Sequence, residues 1–318
     1  MLLEIAVGDA FGRPFEFASR EIIDQYGGDI SKYHRRTKPG QFHPEDVDRI
    51  KDGQENWPII GIYTDDTQMS IAMVEHLLSM TPITQVSYVR EFIRVYKRDI
   101  NEFGEYRKGY SRRISSGLSN SEHPFEFLST VEPKTKGNGC VMRTVPLGML
   151  PTPQQVIHAS IVHASTTHAS IEGVNATIAV SLSAHYYYHK IKEDYREWME
   201  KQMGRYIFQD IISAYEGGEL PCDAKQTASI CMRMVLENDS MFDILRKSIA
   251  TGGDVDSIAA VSLGLAALKG TKNDLPPDLY NNLENGTYGR EYLRLLDKAM
   301  VQTFPVNEEK SEDVFKII

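Results

Sequence analysis

A short acidic segment near residue 65 combines side chains that bind hard cations. It reads Thr64-Asp65-Asp66-Thr67, and an apolar pattern typical of an amphipathic helix follows at once. Thr and Asp are common at helix N-termini, where one such side chain caps free backbone N–H groups. A cap needs only one of them, and adjacent carboxylates repel each other unless a cation lies between them. The segment is therefore interpreted as a helix cap or as part of a metal site.

A second acidic segment, far along the chain, offers the same chemistry. Residues 252–257 read Gly-Gly-Asp-Val-Asp-Ser and precede another apolar-periodic stretch. The glycines allow a tight turn, and the spacing of Asp254, Asp256 and Ser257 can direct two carboxylates and a hydroxyl to one point. Oxygen ligands favour Mg²⁺ or Mn²⁺ over zinc. Together the two segments predict a pair of metal ions, bridged by a carboxylate such as Asp256, with a water activated between them.

The N-terminal segment adds two more carboxylates between glycines. Asp9 lies between Gly8 and Gly12, and Glu16 follows four residues after Gly12. We expect Asp9 to support the acidic site and Glu16 to act as an acid or base. The alternative for Glu16 is a solvated loop carboxylate.

A glycine-rich turn and a histidine are candidates for contacts with a phosphate-bearing substrate. Gly137-Asn138-Gly139 could expose backbone N–H groups to phosphate oxygens, and His168 could contact a substrate. Each has an ordinary alternative: the turn is a common one, Arg143 just beyond it could form a structural ion pair, and His168 could be a packed histidine.

The elements that must position these residues are predicted to be helices. Apolar residues recur three and four apart, with hardly any alternating pattern, which predicts an all-α fold. Two stretches, 15–58 and 103–139, are rich in Gly, Pro and charge and are predicted to be mainly loops. Without an internal repeat or linker, residues 1–318 are predicted to form a single domain. The predicted helices cover residues 69–78, 86–96, 171–188, 198–215, 227–236, 258–268 and 292–301.

Composition excludes several classes of protein. The 318 residues are 41% hydrophobic and 25% charged, as in an ordinary globular protein, and the net charge of -9 disfavours bulk nucleic-acid binding. No apolar run is long enough to cross a membrane, and the start lacks a basic signal-peptide region. Three cysteines without metal or redox spacing predict reduced thiols. We expect a cytoplasmic protein without membrane association.

Spacing also argues against several common enzyme sites. The sequence has no G-x-S-x-G elbow, no Walker loop and no Rossmann G-x-G-x-x-G. His158, His163 and His168 lie five apart, so a helix would turn them away from one another. His185 and His189 are four apart but lack the glutamate of a zinc protease, which predicts a packed or solvated helix face.

Taken in order, these segments resemble the ADP-ribosylglycohydrolase family. The resemblance spans nearly the whole chain and rests on five ordered motifs rather than on any one of them. It implies a compact orthogonal helical bundle, a binuclear Mg²⁺ or Mn²⁺ centre and hydrolysis of the bond between ADP-ribose and an acceptor. The motifs are residues 8–16, 64–67, 137–143, 167–168 and 252–257.

The resemblance also implies roles for individual residues. Glu16, Asp66 and Asp256 are the implied catalytic residues. The implied substrate-binding residues are Asp9, Gly109, Tyr110, Ser111, Gly137, Asn138, Gly139 and His168. The implied metal ligands are Thr64, Asp65, Asp66, Asp254, Asp256 and Ser257.

Three positions depart from the pattern common in the family. Val255 and Ser257 stand where threonine is frequent, and the hydroxyl at Ser257 keeps the ligand type. Ser111 replaces a loop glycine, which adds a side chain where the backbone could approach substrate.

The most favoured substrate is mono-ADP-ribosylated arginine on a protein. One alternative is an O-linked conjugate, such as ADP-ribosylserine or O-acetyl-ADP-ribose. Another is a catalytically idle protein that binds ADP-ribose or has a structural role. Expected partners are therefore an ADP-ribosylated protein or a small ADP-ribose conjugate.

Overall fold

The chain folds as a set of packed helices in a computed structural model, which describes residues 1–34, 60–100 and 106–306. Within these ranges there are fifteen α-helices and no β-strand, so the predicted all-α class is confirmed. The helices are α1 Leu2–Gly12, α2 Arg20–Tyr26, α3 Asp65–Leu78, α4 Gln85–Arg98, α5 Arg112–Asn120, α6 Pro124–Thr130, α7 Pro153–Ser165, α8 Ile171–Tyr188, α9 Tyr195–Met203, α10 Arg205–Ile212, α11 Ala224–Leu236, α12 Met241–Thr251, α13 Val255–Lys269, α14 Pro277–Asn281 and α15 Arg290–Thr303.

Six of the seven predicted helices are found as single helices, and the seventh is divided. The stretch predicted as one helix over residues 198–215 forms α9 and α10, which meet at Gly204. Gly204 has a φ of +86°, outside the helical region, so the chain turns there. A positive φ at a single glycine is not visible in an apolar periodicity that continues on both sides of it.

The prediction that residues 15–58 and 103–139 are mainly loops is wrong for parts of both. The first stretch contains α2, and the second contains α5 and α6. These helices have only seven to nine residues, so each offers only about two turns in which a helical spacing of apolar residues can be recognised. Pro124 at the start of α6 favours a helix N-terminus rather than a loop. Residues 35–59 and 101–105 lie outside the described ranges.

The centre of the fold is the crossing of α1 and α13. A Cβ atom on Gly8 would lie 2.5 Å from the carbonyl of Ala259, and one on Gly12 would lie 2.4 Å from the Cα of Asp256. Any side chain at either glycine would therefore collide with the backbone of α13. This close approach places Asp9, between the two glycines, beside the N-terminus of α13.

Helix α13 is the most deeply buried element of the fold. Every residue from Val255 to Ala266 is buried, and α1, α8, α11 and α12 pack around it. A helix that is apolar all round is typical of a core position. The acidic residues at its N-terminus are thus held on a rigid element.

His185 and His189 have a packed, structural environment, as one of the sequence interpretations expected. Both lie on α8 and are buried, with the ring of His185 bonded to the carbonyl of Gly148 and that of His189 to Leu150, each at 3.1 Å. Burial lowers the pKa of His185 to about 4. Among the described helices, none combines the length and apolarity required to span a membrane.

Candidate active site

One cavity of 490 Å³ collects most of the residues that the sequence singled out. Thirteen predicted site residues line it, from segments separated by up to about 240 positions. They are Glu16, Asp65, Asp66, Gly109, Tyr110, Ser111, Gly137, Asn138, Gly139, His168, Asp254, Asp256 and Ser257. Asp9 and Thr64, which are also predicted, are buried and are not among the residues that line the cavity.

Two groups of three carboxylates share residues with the lining of this cavity. Oxygen atoms of Asp9, Asp66 and Asp256 all lie within 4.8 Å of one another, and the same holds for Glu16, Asp254 and Asp256. Asp256 belongs to both groups. We call Glu16, Asp65, Asp66, Asp254 and Asp256 the acidic wall.

Asp9 fastens the start of α3 to α1. Its carboxylate accepts hydrogen bonds from the backbone N–H of Thr64 and of Thr67, at 2.9 and 3.0 Å, and from both hydroxyls, at 2.8 and 2.6 Å. These are the donors that a helix N-terminus leaves without partners. Asp9 is therefore engaged in positioning the segment that carries Asp65 and Asp66.

A glycine turn sets the start of α13. Gly252 and Gly253 have φ values of +78° and +79°, and a Cβ on Gly253 would lie 2.0 Å from the carbonyl oxygen of Leu220. Leu220 accepts a hydrogen bond from the N–H of Asp254 and donates one to the carbonyl of Gly252, both at 3.0 Å. Only glycine fits this turn, which fixes the direction from which Asp254 enters the cavity.

The acidic side chains are not explained by simple helix capping. Thr64 and Asp254 occupy the N-cap positions of α3 and α13, yet neither side chain makes a capping hydrogen bond. Asp254 instead accepts from the side-chain amide of Asn138 at 2.6 Å. Oδ1 of Asp66 is buried and has no hydrogen-bond partner. A buried carboxylate oxygen without a donor is costly unless a cation or a proton is bound to it.

Without a bound cation, the negatively charged forms of the acidic-wall carboxylates are destabilised by burial and by repulsion between them. Burial raises the pKa of Asp65, Asp66 and Asp256 well above the ordinary range, and the neighbouring carboxylates raise it further. Oxygen-only donors grouped in this way fit a hard divalent cation such as Mg²⁺ or Mn²⁺. The residues present therefore fit a metal centre.

The loop around Gly109 packs directly on the acidic wall. Gly109 has a φ of +108°, and a Cβ there would lie 1.9 Å from Oδ1 of Asp65. The next residue, Tyr110, donates its hydroxyl proton to the side chain of Gln68 on α3. The loop is thus fixed both by the absence of a side chain and by a bond to the helix that carries Asp65.

The rest of the cavity contains a second set of groups with a different character. We call Gly137, Asn138, Gly139, Arg143 and His168 the glycine wall. A Cβ on Gly139 would lie 2.9 Å from Cε1 of His168, so the turn and the ring are in close contact. Burial lowers the pKa of His168 well below its ordinary value, with Arg143 adding to the effect, so the ring is neutral.

Arg143 does not form the ion pair that the sequence suggested. Its side chain is 1% exposed and lies within 4.0 Å of no carboxylate in the described ranges. Instead it donates to the hydroxyl of Thr167 at 2.7 Å and lies over the ring of Phe92, 4.5 Å from its centroid. Arg143 is thus a buried cation that lines the cavity without an ion-pair partner in the described ranges.

Several cavity or supporting residues had no assigned role in the sequence analysis. Thr67 and Thr167 lie inside the quoted segments, so their positions gave a signal, but their partners are distant in the chain. Cys222 and Arg113 stand in segments without a recognisable pattern. Both line the cavity, as do Ile114, Thr135, Lys136 and Met142.

Comparisons with known proteins agree with this geometry. A family model described as ADP-ribosylglycohydrolase matches residues 1–310. A solved structure described as an ADP-ribosylglycohydrolase-related protein complex has the same fold, with a TM-score of 0.64, 20% sequence identity and coverage of 95% of each chain. No curated protein sequence matches. The chain belongs to the ADP-ribosylglycohydrolase family, a family of hydrolases that act on ADP-ribose conjugates and are generally metal-dependent.

Proposed function

We propose that this enzyme releases ADP-ribose from mono-ADP-ribosylated arginine on proteins, using a water activated at a binuclear Mg²⁺ or Mn²⁺ centre. The observation that carries the proposal is the pair of carboxylate groups that share Asp256. A carboxylate common to two groups of acids is the arrangement expected of a bridging ligand. The reaction would take place in the cytoplasm, within a single domain.

The proposed ligands are the residues at the starts of α3 and α13. Thr64, Asp65 and Asp66 would hold cations from one side, and Asp254, Asp256 and Ser257 from the other. When bound, two divalent cations would supply Lewis-acid activation of a water molecule and offset the charge of the carboxylates.

Glu16 and Asp66 are the proposed proton carriers. Glu16 directly follows the short helical turn Arg13–Phe15, and its carboxylate belongs to the same group as Asp254 and Asp256. Transfer of a proton from water, or to the departing acceptor, requires such a carboxylate close to the reacting atoms. Asp66 belongs to the other group, with Asp9 and Asp256, and its Oδ1 has no hydrogen-bond partner.

The glycine wall is the proposed site for the ADP-ribose diphosphate. Close backbone approach at Gly137 and Gly139, a neutral His168 and the cationic Arg143 suit an anionic group. The loop of Gly109, Tyr110 and Ser111 would contact the ribose beside Asp65.

Charge supports arginine as the acceptor. With Asp9 included, six carboxylates surround the site, so two divalent cations would leave a net negative charge. The positively charged guanidinium of bound ADP-ribosylarginine is attracted by that charge, whereas the uncharged side chain of ADP-ribosylserine gains nothing from it.

The test is release of free ADP-ribose from an ADP-ribosylated arginine peptide and from a matched serine peptide. Each is incubated with Mg²⁺, with Mn²⁺ or with a chelator. Metal-dependent release from the arginine peptide supports the proposal. Release from the serine peptide alone would favour the O-linked alternative, and no release from either, despite ADP-ribose binding, would indicate a binding protein.

A further inference from the structure

Thr167 links the buried cation of the cavity to His168. Its hydroxyl oxygen accepts a hydrogen bond from Nη2 of Arg143 at 2.7 Å and lies 2.7 Å from Nδ1 of His168. Thr167 is fully buried. Among the described residues, Arg143 and His168 are the only hydrogen-bond partners of this hydroxyl, and the carbonyl of Thr167 accepts a separate bond from Arg113 at 3.2 Å.

The direction of the two bonds follows from the chemistry of the donors. A guanidinium has no acceptor, so Arg143 must donate and Thr167 must accept. The hydroxyl proton of Thr167 then has one acceptor within reach, the Nδ1 atom of His168. The opposite arrangement, with a proton on Nδ1, would leave the Thr167 hydroxyl proton buried without a partner.

The single proton of the neutral ring therefore lies on Nε2. This atom makes no hydrogen bond to any residue in the described ranges, although the His168 side chain is 95% buried. A Cβ on Gly137 would lie 3.5 Å from Nε2, so this edge of the ring faces the glycine turn. His168 also lines the cavity. Nε2 is not among the fully buried atoms that lack a partner, so it is accessible from the cavity. An N–H that faces a cavity without a protein partner is a site for a ligand acceptor.

We propose that Arg143 and Thr167 are positioning residues that hold His168 as its Nε2–H tautomer, which donates a hydrogen bond to a phosphate oxygen of bound ADP-ribose. The assignment of ADP-ribose as the ligand rests on the proposed function, whereas the tautomer of His168 does not. A phosphate oxygen is the acceptor that the charge of Arg143 and the backbone of Gly137–Gly139 both favour. The opposite tautomer would present a lone pair to the phosphate and repel it.

Nitrogen-15 NMR of histidine-labelled protein measures the tautomer directly. The chain has nine histidines, and the His168 signals are assigned by their loss in His168→Gln. In the ligand-free wild type we expect a protonated Nε2 and an unprotonated Nδ1. A wild-type ring protonated on Nδ1 would overturn the proposal. The tautomer is read in the wild-type protein, and His168→Gln serves only to assign the signals.

Thr167→Val tests the connection to Arg143, because it replaces the hydroxyl with a methyl group of similar size. We expect the Nδ1–H form to appear and the dissociation constant for ADP-ribose to rise about tenfold, with Mn²⁺ affinity unchanged. Thr167→Ser restores both. Thr177→Val, which removes another buried hydroxyl that bonds a helix carbonyl, should change neither.

The two proposals fail in different ways in this experiment. If the wild type does not bind ADP-ribose, the ligand assignment falls together with the proposed function, while the tautomer is still decided by NMR. If ADP-ribose binds and Thr167→Val leaves the tautomer unchanged, the positioning role of Thr167 is wrong and the proposed function stands.

Discussion

The acidic wall and the glycine wall differ in how their charges are balanced. On the acidic wall, burial and mutual repulsion raise the pKa of Asp65, Asp66 and Asp256, and Asp66 keeps an oxygen without a partner. On the glycine wall, Arg143 and His168 are joined by hydrogen bonds through Thr167, which lies behind them outside the cavity lining. The carboxylates of the first wall are thus stabilised only by an added cation or by protons, whereas the polar groups of the second wall bond to one another.

The contrast also explains how each wall is built. The acidic wall lies at the starts of two buried helices, where Asp9 and the turn at Gly253 fix the backbone. The glycine wall uses loops, and its groups are aligned by contact between Gly139 and His168. Changes on the acidic wall should therefore reduce metal binding and chemistry, and changes on the glycine wall should reduce substrate affinity.

The largest effect is expected from Asp256→Asn. This residue belongs to both groups of carboxylates, so its loss should lower turnover by about a thousandfold and abolish high-affinity metal binding. ADP-ribose release and calorimetry with Mn²⁺ measure the two quantities, and circular dichroism verifies the fold. Asp278→Asn, an exposed acid in the first turn of α14, is the control. Metal-dependent activity in Asp256→Asn would contradict the proposed centre.

Gly109→Ala should have the next largest effect, about a hundredfold on kcat/KM. The new Cβ would collide with Asp65, and the positive φ adds backbone strain. Gly204→Ala separates the two causes, because Gly204 also has a positive φ but has no atom within 4 Å of the added Cβ. Equal losses in both variants would assign the effect to strain rather than to the acidic wall.

Metal binding should be pH-dependent, with an apparent affinity that falls more than tenfold between pH 8 and pH 6. The native carboxylates have raised pKa values, so protons compete with the metal as the pH falls. Without metal, the folded state binds more protons than the unfolded state above about pH 4, so these groups lower stability as the pH rises.

The rise in Tm on adding Mn²⁺ should therefore be larger at pH 8 than at pH 6. Taking the difference with and without metal at each pH removes the contribution of His185, whose lowered pKa makes the protein less stable as the pH falls from about 6.5 to about 4. An equal or larger rise at pH 6 would show that the carboxylates are not the metal ligands.

Gly139→Ala changes the glycine wall and should have the smallest effect of these substitutions. The added Cβ would press on His168 at 2.9 Å, and a small shift of the ring should raise KM for the ADP-ribosylated peptide about three- to fivefold. Metal affinity should stay at the wild-type value. A loss of metal binding in this variant would mean that the two walls do not act separately.

The sequence predicted which residues form the acidic wall better than it predicted the contacts that hold them in place. Clustered carboxylates such as Asp254 and Asp256 are visible in a single segment, and the resemblance linked that segment to Asp65. The hydrogen bond from the backbone N–H of Thr67 to Asp9 joins α3 to α1 across 58 positions, and no local sequence pattern predicts such a contact.

The fold was predictable where helices are long. Apolar spacing identified α4 and α8, of fourteen and eighteen residues, whereas α5 and α6, of nine and seven residues, are too short to be recognised in this way. The hydrogen bond from Thr167 to His168 joins adjacent residues, yet its direction depends on Arg143, 24 positions earlier. Hydrogen-bond direction of this kind needs the three-dimensional arrangement.

The crossing of α1 with α13 also has a consequence for the order of folding. Gly8 and Ala259 are in contact although about 250 residues separate them in the chain. At about 5–20 residues per second, a ribosome needs roughly 12–50 seconds to add the second partner after the first. During synthesis, the apolar residues of α1 therefore stay without their packing partner until α13 has emerged from the ribosome. Neither group of carboxylates is complete before that point, because both include Asp256 of α13. Slow folding is expected of a site formed by segments that lie so far apart in the chain.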